Sequence, residues 1–409
     1  MRYGLLGKTL AHSYSKTIHE MFAPYEYELI PLSEDELDVL LKEKNFSALN
    51  VTIPYKETVM KYLDFIDDAA KEIGAVNTIV NKNGVLYGYN TDFFGLRGLI
   101  EKNGFDFKDK KVLVLGSGGT SKTAVTVSKS LGASEIIVVS RSGSVNYQNV
   151  LSLHGDASFI INTTPCGMFP NNENKAISLD GFDNLEGVAD VIYNPLRTNL
   201  LLEAKEKGIP FCGGLYMLVF QAVKASELFL SKTYPENTGD EVYKKLLLEK
   251  ENVVLTGMPG SGKSTIGSIV SKKLARPFID TDELIIEKAK MPISEIFEKF
   301  GEKYFRDLET EVIAEVSKKT GLVVATGGGA VLRNENIKNL SQNGKIFFLD
   351  RPLSQILPTS DRPLSSDENA LKKRFEERYD IYCDTCDVKI DVDGIAEHAA
   401  KKITDTFNF

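Results

Sequence analysis

The sequence predicts an α/β fold: a two-lobed first part, followed by a domain with a parallel sheet flanked by helices. Two segments predict this fold, because each has the pattern of a strand, then a glycine loop, then a helix. They are KKVLVLGSGGTSKTAVTVSKSLG at 110–132 and NVVLTGMPGSGKSTIGSIVSKKLA at 252–275. In each unit a short Val/Leu run bounded by glycine is typical of a buried parallel strand, and apolar positions spaced three and four apart predict a helix packed on it. The length agrees, because 409 residues at about 150 per domain correspond to two or three domains.

The composition is that of a soluble globular protein, with 42% hydrophobic and 26% charged residues. The 49 basic and 57 acidic residues give a net charge of −8, which excludes nucleic-acid binding through a net basic surface. Small anions can still be bound, since they need only a few Lys, Arg or backbone N–H groups. No apolar run reaches the roughly 18 residues of a membrane helix, and the N-terminus lacks a signal-peptide pattern, so we expect a cytoplasmic protein without a membrane partner.

The four cysteines, Cys166, Cys212, Cys383 and Cys386, are too few for a disulfide scaffold in a chain of this length. Cys383 and Cys386 have the spacing of half a zinc site or of a redox motif, but no second pair or flanking His completes a zinc site. We therefore expect plain thiols in a reducing compartment.

Further domains can be placed from the two glycine loops. Strand-like stretches such as SALNVTIP and TIVNKNGVLYGYN precede the first loop and predict a separate N-terminal domain. Residues 231–252 contain the Pro, Asn, Gly and charged residues of an interdomain connection, which puts a boundary near residue 248.

The first glycine loop, Gly116 to Ser121, follows a strand and opens a helix. Glycines there let backbone N–H groups approach a pyrophosphate at the helix N-terminus, as in a Rossmann domain. The next strand ends at Ser140-Arg141-Ser142, where an NAD site would have an acid for the ribose 2′-hydroxyl. An arginine suits a 2′-phosphate instead, so we expect NADP. The alternatives are an ordinary glycine turn and a surface arginine in a turn.

Seven segments around this loop together resemble shikimate dehydrogenase, in the right order over about residues 3–230. They are GKTLAHSYSK at 7–16, NVTIPYK at 50–56, GAVNT at 74–78, GYNTD at 88–92, NTTPCGM at 162–168, DVIYNP at 190–195 and MLVFQ at 217–221.

The resemblance implies reduction of 3-dehydroshikimate, with Lys56 and Asp92 as the acid–base pair. The chemistry agrees, because reducing a ketone with a nicotinamide needs a proton donor at the carbonyl oxygen, and a Lys beside an Asp can be tuned for this. Taken alone, Lys56 would be a solvated lysine and Asp92 a helix N-cap. The other implied substrate ligands are Ser13, Ser15, Thr52, Asn77, Tyr193 and Gln221. The implied NADP ligands are Gly116, Gly118, Gly119, Thr120, Ser140, Arg141, Ser142, Thr163 and Gly214.

Some positions depart from the family pattern. Thr9 and Lys16 stand where prolines are usual, and Thr120 and Ser121 where alanines are common. Tyr216 replaces the glycine that the family usually has beside the nicotinamide, and a tyrosine there can narrow that pocket. Retention of both Ser13 and Ser15 favours shikimate over quinate as the alcohol, again by resemblance.

The second glycine loop, Gly257 to Thr265, is a complete phosphate-binding loop between a strand and a helix. Lys263 is expected to neutralise charge on the β- and γ-phosphates of ATP, and Ser264 to ligate Mg²⁺. The implied ATP ligands in the loop are Gly257, Gly260, Ser261, Gly262, Lys263, Ser264 and Thr265.

Four further segments and the Arg378 to Tyr382 spacing resemble shikimate kinase across about 252–390. They are FIDTD at 278–282, YFRDLE at 304–309, ATGGGA at 325–330 and DRPL at 361–364. A carboxylated polyol suits this set, because two arginines can hold a carboxylate and glycines let the backbone approach a ring.

The implied acceptor ligands are Asp282, Arg306, Gly327, Gly328, Gly329 and Arg378, with Asp282 orienting the attacking hydroxyl. Asp280 is expected to help hold Mg²⁺, and Arg362 to reach the transferring phosphoryl group and ATP from a lid. Glu309 is expected to support these ligands without binding the substrate. Without the motif, Arg306 would be a helix-surface ion pair with Glu302 or Glu309.

We therefore expect a bifunctional enzyme that uses NADP(H), ATP and Mg²⁺ on 3-dehydroshikimate and shikimate. A substrate-binding domain is predicted at 1–102 plus 214–235, a Rossmann NADP-binding domain at 103–213, a linker at 236–250 and a P-loop kinase domain at 251–409. The alternatives are a shikimate/quinate dehydrogenase joined to a kinase for another small metabolite, or to a non-catalytic nucleotide-binding module. A homo-oligomer is left open.

Overall fold

The computed structural model describes residues 2–10, 13–356 and 368–407, with the backbone alone for 368–370. It divides into two compact units, Met1–Leu246 and Leu247–Phe409. Helix makes up most of the predicted linker at 236–250. The division of the first unit into two domains remains a prediction.

The first unit contains two sheets. Its strands are β1 Tyr3–Gly7, β2 Tyr27–Pro31, β3 Ala48–Val51, β4 Phe65–Ile66, β5 Thr78–Lys82, β6 Val85–Tyr89, β7 Lys111–Leu115, β8 Glu135–Val139, β9 Phe159–Asn162, β10 Gly187–Asp190 and β11 Phe211–Gly213. Its helices are α1 Ser15–Phe22, α2 Glu34–Glu43, α3 Asp68–Ile73, α4 Thr91–Lys102, α5 Gly119–Ser130, α6 Val150–His154, α7 Asn199–Glu206, α8 Leu215–Leu230 and α9 Thr238–Lys250, the last of which runs into the second unit.

The second unit contains one sheet. Its strands are β12 Asn252–Thr256, β13 Phe278–Asp280, β14 Val323–Ala325, β15 Gly344–Asp350 and β16 Val388–Asp391. Its helices are α10 Lys263–Leu274, α11 Thr281–Ala289, α12 Ile293–Ser317, α13 Asn334–Asn343, α14 Glu368–Thr385 and α15 Ala396–Asp405.

The sheets confirm the predicted α/β fold class. The first has the order β2-β1-β3-β5-β6-β4 and is mixed, with β5 antiparallel to both of its neighbours. The second, β11-β10-β9-β7-β8, and the third, β13-β14-β12-β15-β16, are parallel throughout. Each glycine loop joins a central buried strand to the helix that follows it, β7 to α5 and β12 to α10. The carboxyl ends of parallel strands are where α/β proteins bind ligands.

Close packing of α4 on α8 depends on a glycine. A Cβ at Gly95 would lie 2.5 Å from the main-chain oxygen of Met217, so a larger residue would push the helices apart. Helix α8 also packs on α1 and β5. It therefore lies beside the first sheet, although it follows the second sheet in the chain.

His19 of α1 is completely buried among aromatic rings. Its ring stacks on Tyr27 with centroids 4.0 Å apart, and its Nδ1 lies 2.9 Å from the hydroxyl of Tyr25. Burial lowers the pKa of His19 from 6.5 to about 3. The imidazole is therefore neutral in the folded protein near neutral pH.

The ring of Tyr216, the residue expected to narrow the nicotinamide pocket, packs against other aromatic rings of the first unit. Its ring stacks on Phe220 at 5.5 Å and meets Tyr243 of α9 edge-on at 5.3 Å. The helical phase of α8 turns this residue toward the core between α4 and α9. Burial, with Asp240 nearby, raises the pKa of Tyr216 to about 12.

Replacing His19 by Phe should make the first unit less sensitive to acid. A histidine whose folded pKa is lowered contributes stability that is present above its unfolded pKa of 6.5 and is lost as the pH falls below it. At pH 5 the wild-type unit should lose about 2 kcal/mol through His19, and the variant should not. Hydrogen exchange of first-unit peptides in urea at pH 7.5 and pH 5 measures this. Equal losses in both proteins would contradict the assignment.

Replacing Tyr216 by Leu should lower the stability of the first unit by about 1–3 kcal/mol, because it removes a packed ring. The dissociation constant of the nicotinamide cofactor should stay within about twofold, since distant sites act independently. Thermal unfolding and a cofactor titration measure the two effects. Tighter cofactor binding by the variant would show that the ring does restrict the pocket.

Candidate active sites

A half-buried ion pair joins Lys56 and Asp92. Lys56 follows β3, and Asp92 lies in the first turn of α4, whose N-cap is Asn90. The Lys56 Nζ and Asp92 Oδ2 atoms are 2.5 Å apart, with 23% and 14% of the two side chains exposed. Asp92 lies at the N-terminus of α4, the positive end of the helix dipole. The pair therefore places an ammonium group where a ligand can still reach it.

A buried amide and hydroxyl cluster lies beside this pair. The Asn77 Oδ1 atom accepts hydrogen bonds from the Thr91 N–H at 2.7 Å and the Thr78 hydroxyl at 3.0 Å. The Gln221 Oε1 atom accepts from the Thr91 hydroxyl at 3.2 Å. With its amide oxygen engaged, Asn77 has an NH₂ group to offer to a ligand oxygen. Sequence reasoning assigned no role to Thr78 and Thr91, although both lie within the quoted motifs, next to Asn77 and Asp92.

The predicted carboxylate ligands are close neighbours. The Ser13 hydroxyl donates to the Ser15 hydroxyl at 3.1 Å, where α1 begins. The Tyr14 ring lies 5.3 Å from that of Tyr193, and burial raises the pKa of Tyr193. Thr52 is held at the end of β3 by its N–H, which donates to the Leu6 carbonyl.

The first glycine loop has the shape of an anion site. A Cβ at Gly116, where φ is 111°, would lie 2.8 Å from the Thr163 hydroxyl. Among the described residues, no atom lies within 4 Å of a Cβ placed on Gly118 or Gly119. These glycines and Thr120 begin α5, so open space surrounds the unpaired N–H groups of its first turn.

The other predicted NADP ligands lie at strand ends of the same sheet. Ser140, Arg141 and Ser142 follow β8, and Arg141 is exposed. Gly214 begins α8 at a point where a Cβ would collide with the Val191 carbonyl. The open space around Gly118 and Gly119 fits the pyrophosphate of a dinucleotide. Arg141, which stands where an NAD site would have an acid, fits the 2′-phosphate of NADP.

The second glycine loop wraps its own lysine. The Lys263 Nζ atom donates to the main-chain oxygens of Gly257 and Met258 at 2.8 and 2.9 Å. The Ser264 hydroxyl donates to Asp280 Oδ2 at 2.7 Å. The two predicted Mg²⁺ ligands are thus adjacent, and a hydroxyl with a carboxylate is a donor set that fits Mg²⁺.

The remaining loop residues continue the same surface. Gly260 and Gly262 have φ of 82° and 96°. The Ser261 N–H donates to the Met258 carbonyl, and Thr265 is exposed in the first turn of α10.

A cavity of about 870 Å³ extends from this loop to the predicted acceptor ligands. Its lining includes Asp282, Arg306, Arg378 and the three glycines at 327–329. The Arg378 guanidinium donates to the Gly328 carbonyl at 3.0 Å. One cavity therefore contains groups for both a nucleotide and an anionic acceptor.

Arg306 is a buried residue of this cavity and is also paired with both predicted acids. It lies 2.7 Å from Glu309 and 3.3 Å from Glu302. The Glu309 side chain is fully buried, and burial raises its pKa against the attraction of Arg306. A Cβ on Gly329 would collide with the Arg306 guanidinium, so the glycine lets the arginine lie flat against the loop.

Sequence reasoning missed several residues that line this cavity. Arg351 and Arg374 add two cations, and Ile286, Phe297 and Phe305 add apolar surface. Only Arg374 had a sequence signal, because it precedes Arg378 by one helical turn. Arg362 lies outside the described residues.

The cysteine pair forms no metal site in the part of the chain that the structure describes, where no three His, Cys, Asp or Glu side chains cluster suitably. Cys383 and Cys386 are free thiols packed beside the core of the second unit. Each described helix is too short or too polar to cross a bilayer.

Family models of known proteins match both parts of the chain. The shikimate dehydrogenase substrate binding domain matches residues 5–79, and shikimate kinase matches residues 259–408. A shikimate dehydrogenase (NADP(+)) from Clostridium beijerinckii is 38% identical over 247 residues, which cover 56% of this chain and 91% of that relative.

Solved structures match the first part. A shikimate dehydrogenase from Peptoclostridium difficile is 36% identical, with a TM-score of 0.56, and the match covers 60% of this chain and 98% of that protein. A shikimate 5-dehydrogenase from Thermus thermophilus, solved in complex with NADP(H) and shikimate, is 29% identical, with a TM-score of 0.53, and the match covers 60% and 99%.

These matches confirm both resemblances read from the sequence. They fall on the two parts of the chain that contain the Lys56–Asp92 pair and the phosphate-binding loop. The chain belongs to the shikimate dehydrogenase family and has a shikimate kinase domain C-terminal to the dehydrogenase part. The protein is therefore a bifunctional enzyme of the shikimate pathway.

Proposed function

We propose that the first unit reduces 3-dehydroshikimate to shikimate with NADPH, and that the second unit phosphorylates the 3-hydroxyl of shikimate with ATP. The 2.5 Å pair of Lys56 and Asp92, beside amide groups that can bind hydroxyls, carries the first assignment. The cavity that unites the phosphate-binding loop with Arg306 and Arg378 carries the second.

In the reduction, Lys56 gives a proton to the carbonyl oxygen. NADPH, when bound, supplies the hydride to the carbonyl carbon. Asp92 holds the ammonium of Lys56 in place, and Asn77 and Gln221 bind the ring hydroxyls. The substrate carboxylate is bound by the Ser13 and Ser15 hydroxyls, which lie 3.1 Å apart.

In the phosphoryl transfer, the acceptor is held by its carboxylate and by its hydroxyls. Arg306 and Arg378 bind the carboxylate, and Asp282 accepts hydrogen bonds from the hydroxyls and orients the one that attacks. Lys263 leaves its loop carbonyls for the phosphates of ATP, and Arg362 is proposed to assist. Mg²⁺, held by Ser264 and Asp280, would neutralise phosphate charge.

The finer partner assignments rest on the same chemistry. Both reactions use small anions held in pockets, and the net charge of −8 disfavours polyanions such as nucleic acids. We place the enzyme in the cytoplasm, in keeping with its four free cysteines. We propose no membrane partner, and a homo-oligomer stays open.

The two alternatives for the second unit are a kinase for another small metabolite and a non-catalytic nucleotide-binding module. Assays of the kinase unit with shikimate, quinate and AMP as competing acceptors separate them. Phosphate transfer to AMP alone would overturn the acceptor assignment, and no acceptor-dependent ATP consumption would favour a regulatory module.

Lys56→Met and Lys263→Met should separate the two activities. The first should lower the dehydrogenase kcat by about 10²–10⁴-fold, because it removes the proton donor. The second should lower the kinase kcat at least about a hundredfold, because it removes a charge at the phosphates. Each variant should keep the other activity within about twofold. Coupled assays of the purified full chain measure all four rates, and loss of both activities in either variant would contradict two independent sites.

Two neighbouring glycines of the kinase unit should act on different substrates. Gly329→Ala pushes the Arg306 guanidinium away and should raise the KM for shikimate about tenfold, while the KM for ATP changes little. A Cβ on Gly328 would instead lie 2.7 Å from Pro259 of the phosphate-binding loop. Gly328→Ala should therefore raise the KM for ATP more than it raises the KM for shikimate. Equal effects of both variants on both substrates would argue against separate subsites in this cavity.

A further inference from the structure

Asp190 is a buried carboxylate to which the proposed reaction gives no role. It ends β10, beside Asn162 at the end of β9, and it is 0% exposed. Three donors surround it: the Ile192 N–H at 3.0 Å, the Asn162 amide at 3.1 Å and the Thr198 hydroxyl at 2.7 Å. Burial raises the pKa of Asp190 to about 6, and the three hydrogen bonds oppose this rise.

The donors come from two loops that the carboxylate ties together. Ile192 and Thr198 bracket the loop after β10. Asn162 begins the loop after β9, and its Oδ1 atom accepts from the N–H and the hydroxyl of Thr164 at 3.1 and 2.8 Å. One side chain therefore fixes both loops.

These loops carry residues assigned to the cofactor and the substrate. Thr163 lies between Asn162 and Thr164, and its hydroxyl donates to the Leu115 carbonyl at 2.6 Å, next to the glycine loop. Tyr193 follows Ile192. The Ile192 carbonyl accepts from the Gly214 N–H at 2.9 Å, which places the start of α8 as well.

We propose that Asp190 is a positioning residue that fixes the loops of Thr163 and Tyr193, and through Ile192 the start of α8 at Gly214, in the geometry that binds NADPH. The inference rests on the proposed function of the first unit. A carboxylate is needed because all three neighbours donate, and an amide in its place would turn an NH₂ group toward one of these donors.

The test is a titration with NADPH, followed by its own fluorescence, so that no turnover is needed. Asp190→Asn should raise the dissociation constant about ten- to hundredfold, the effect of losing hydrogen bonds to a charged group. Glu203→Gln is the matched control. Glu203 is a buried carboxylate of the same unit that also accepts from a main-chain N–H, that of Leu179, and from a hydroxyl, that of Ser178.

If Asp190 had only a structural role, its replacement would change the stability of the first unit and not the affinity for NADPH. In that case Asp190→Asn and Glu203→Gln would both lower the unfolding temperature and leave the NADPH dissociation constant unchanged, which would overturn the proposal. Thr198→Val provides a second, independent test, because it removes one hydrogen-bond donor to Asp190 and leaves the carboxylate in place. It should weaken NADPH binding severalfold, and Thr198→Ser, which keeps the hydroxyl, should restore it.

If the Asp190→Asn variant does not fold, the comparison of Thr198→Val with Thr198→Ser tests the proposal. Equal NADPH affinities of the Val and Ser variants would overturn the proposal. A wild-type chain that does not bind NADPH would overturn the proposed dehydrogenase function itself, a result distinct from a variant that binds as well as the wild type.

Discussion

The first backbone N–H groups of an α-helix are not needed for its own hydrogen bonds, and both proposed active sites are arranged around such groups at the N-termini of α5 and α10. Each helix follows a central strand of a parallel sheet through a glycine loop. Other strand ends of the same sheets then bring the proposed phosphate-binding side chains to each loop. Ser140 to Ser142 follow β8, the neighbour of β7, and Asp280 ends β13, two strands away from β12. The sheet order thus decides which distant residues meet at each loop.

The substrate side of the dehydrogenase depends on a different constraint, the close approach of α4 and α8. Asp92 and Thr91 begin α4, and Gln221 lies in the middle of α8. Gly95 lets the helices come near enough for the Thr91 hydroxyl to reach Gln221 at 3.2 Å. A residue with no chemical function therefore determines whether the chemical residues can meet.

The sequence was informative where one short motif contains all the residues that form a structural feature. The glycine loops, their strands and helices and the two families could all be predicted, because backbone geometry at a helix start is local. Ser264 and Asp280 could be paired only through the kinase resemblance, since their hydrogen bond spans 16 residues. Individual site roles stay predictions, and the assay variants above test them.

Other features could not be predicted, for physical reasons. The direction of Tyr216 depends on the phase of α8 and on Tyr243, which lies 27 residues later in a segment expected to be a linker. Thr78, Thr91 and Asp190 act through contacts that form only once the strands are aligned. Arg351 lacks a motif, so only the folded cavity reveals it.

The cations of the kinase cavity already have acceptors within the protein. Lys263 donates to its own loop, Arg306 to Glu309 and Arg378 to Gly328. An anion that binds there either displaces these bonds or uses the remaining N–H donors, so its affinity is the difference between two sets of interactions. A ligand with correctly spaced charges gains a bond to each cation, and one that lacks a group leaves the corresponding cation with only its internal acceptor. For the proposed carboxylated polyol and ATP, selectivity would therefore depend on the internal bonds of the arginines and the lysine as well as on the ligand contacts themselves.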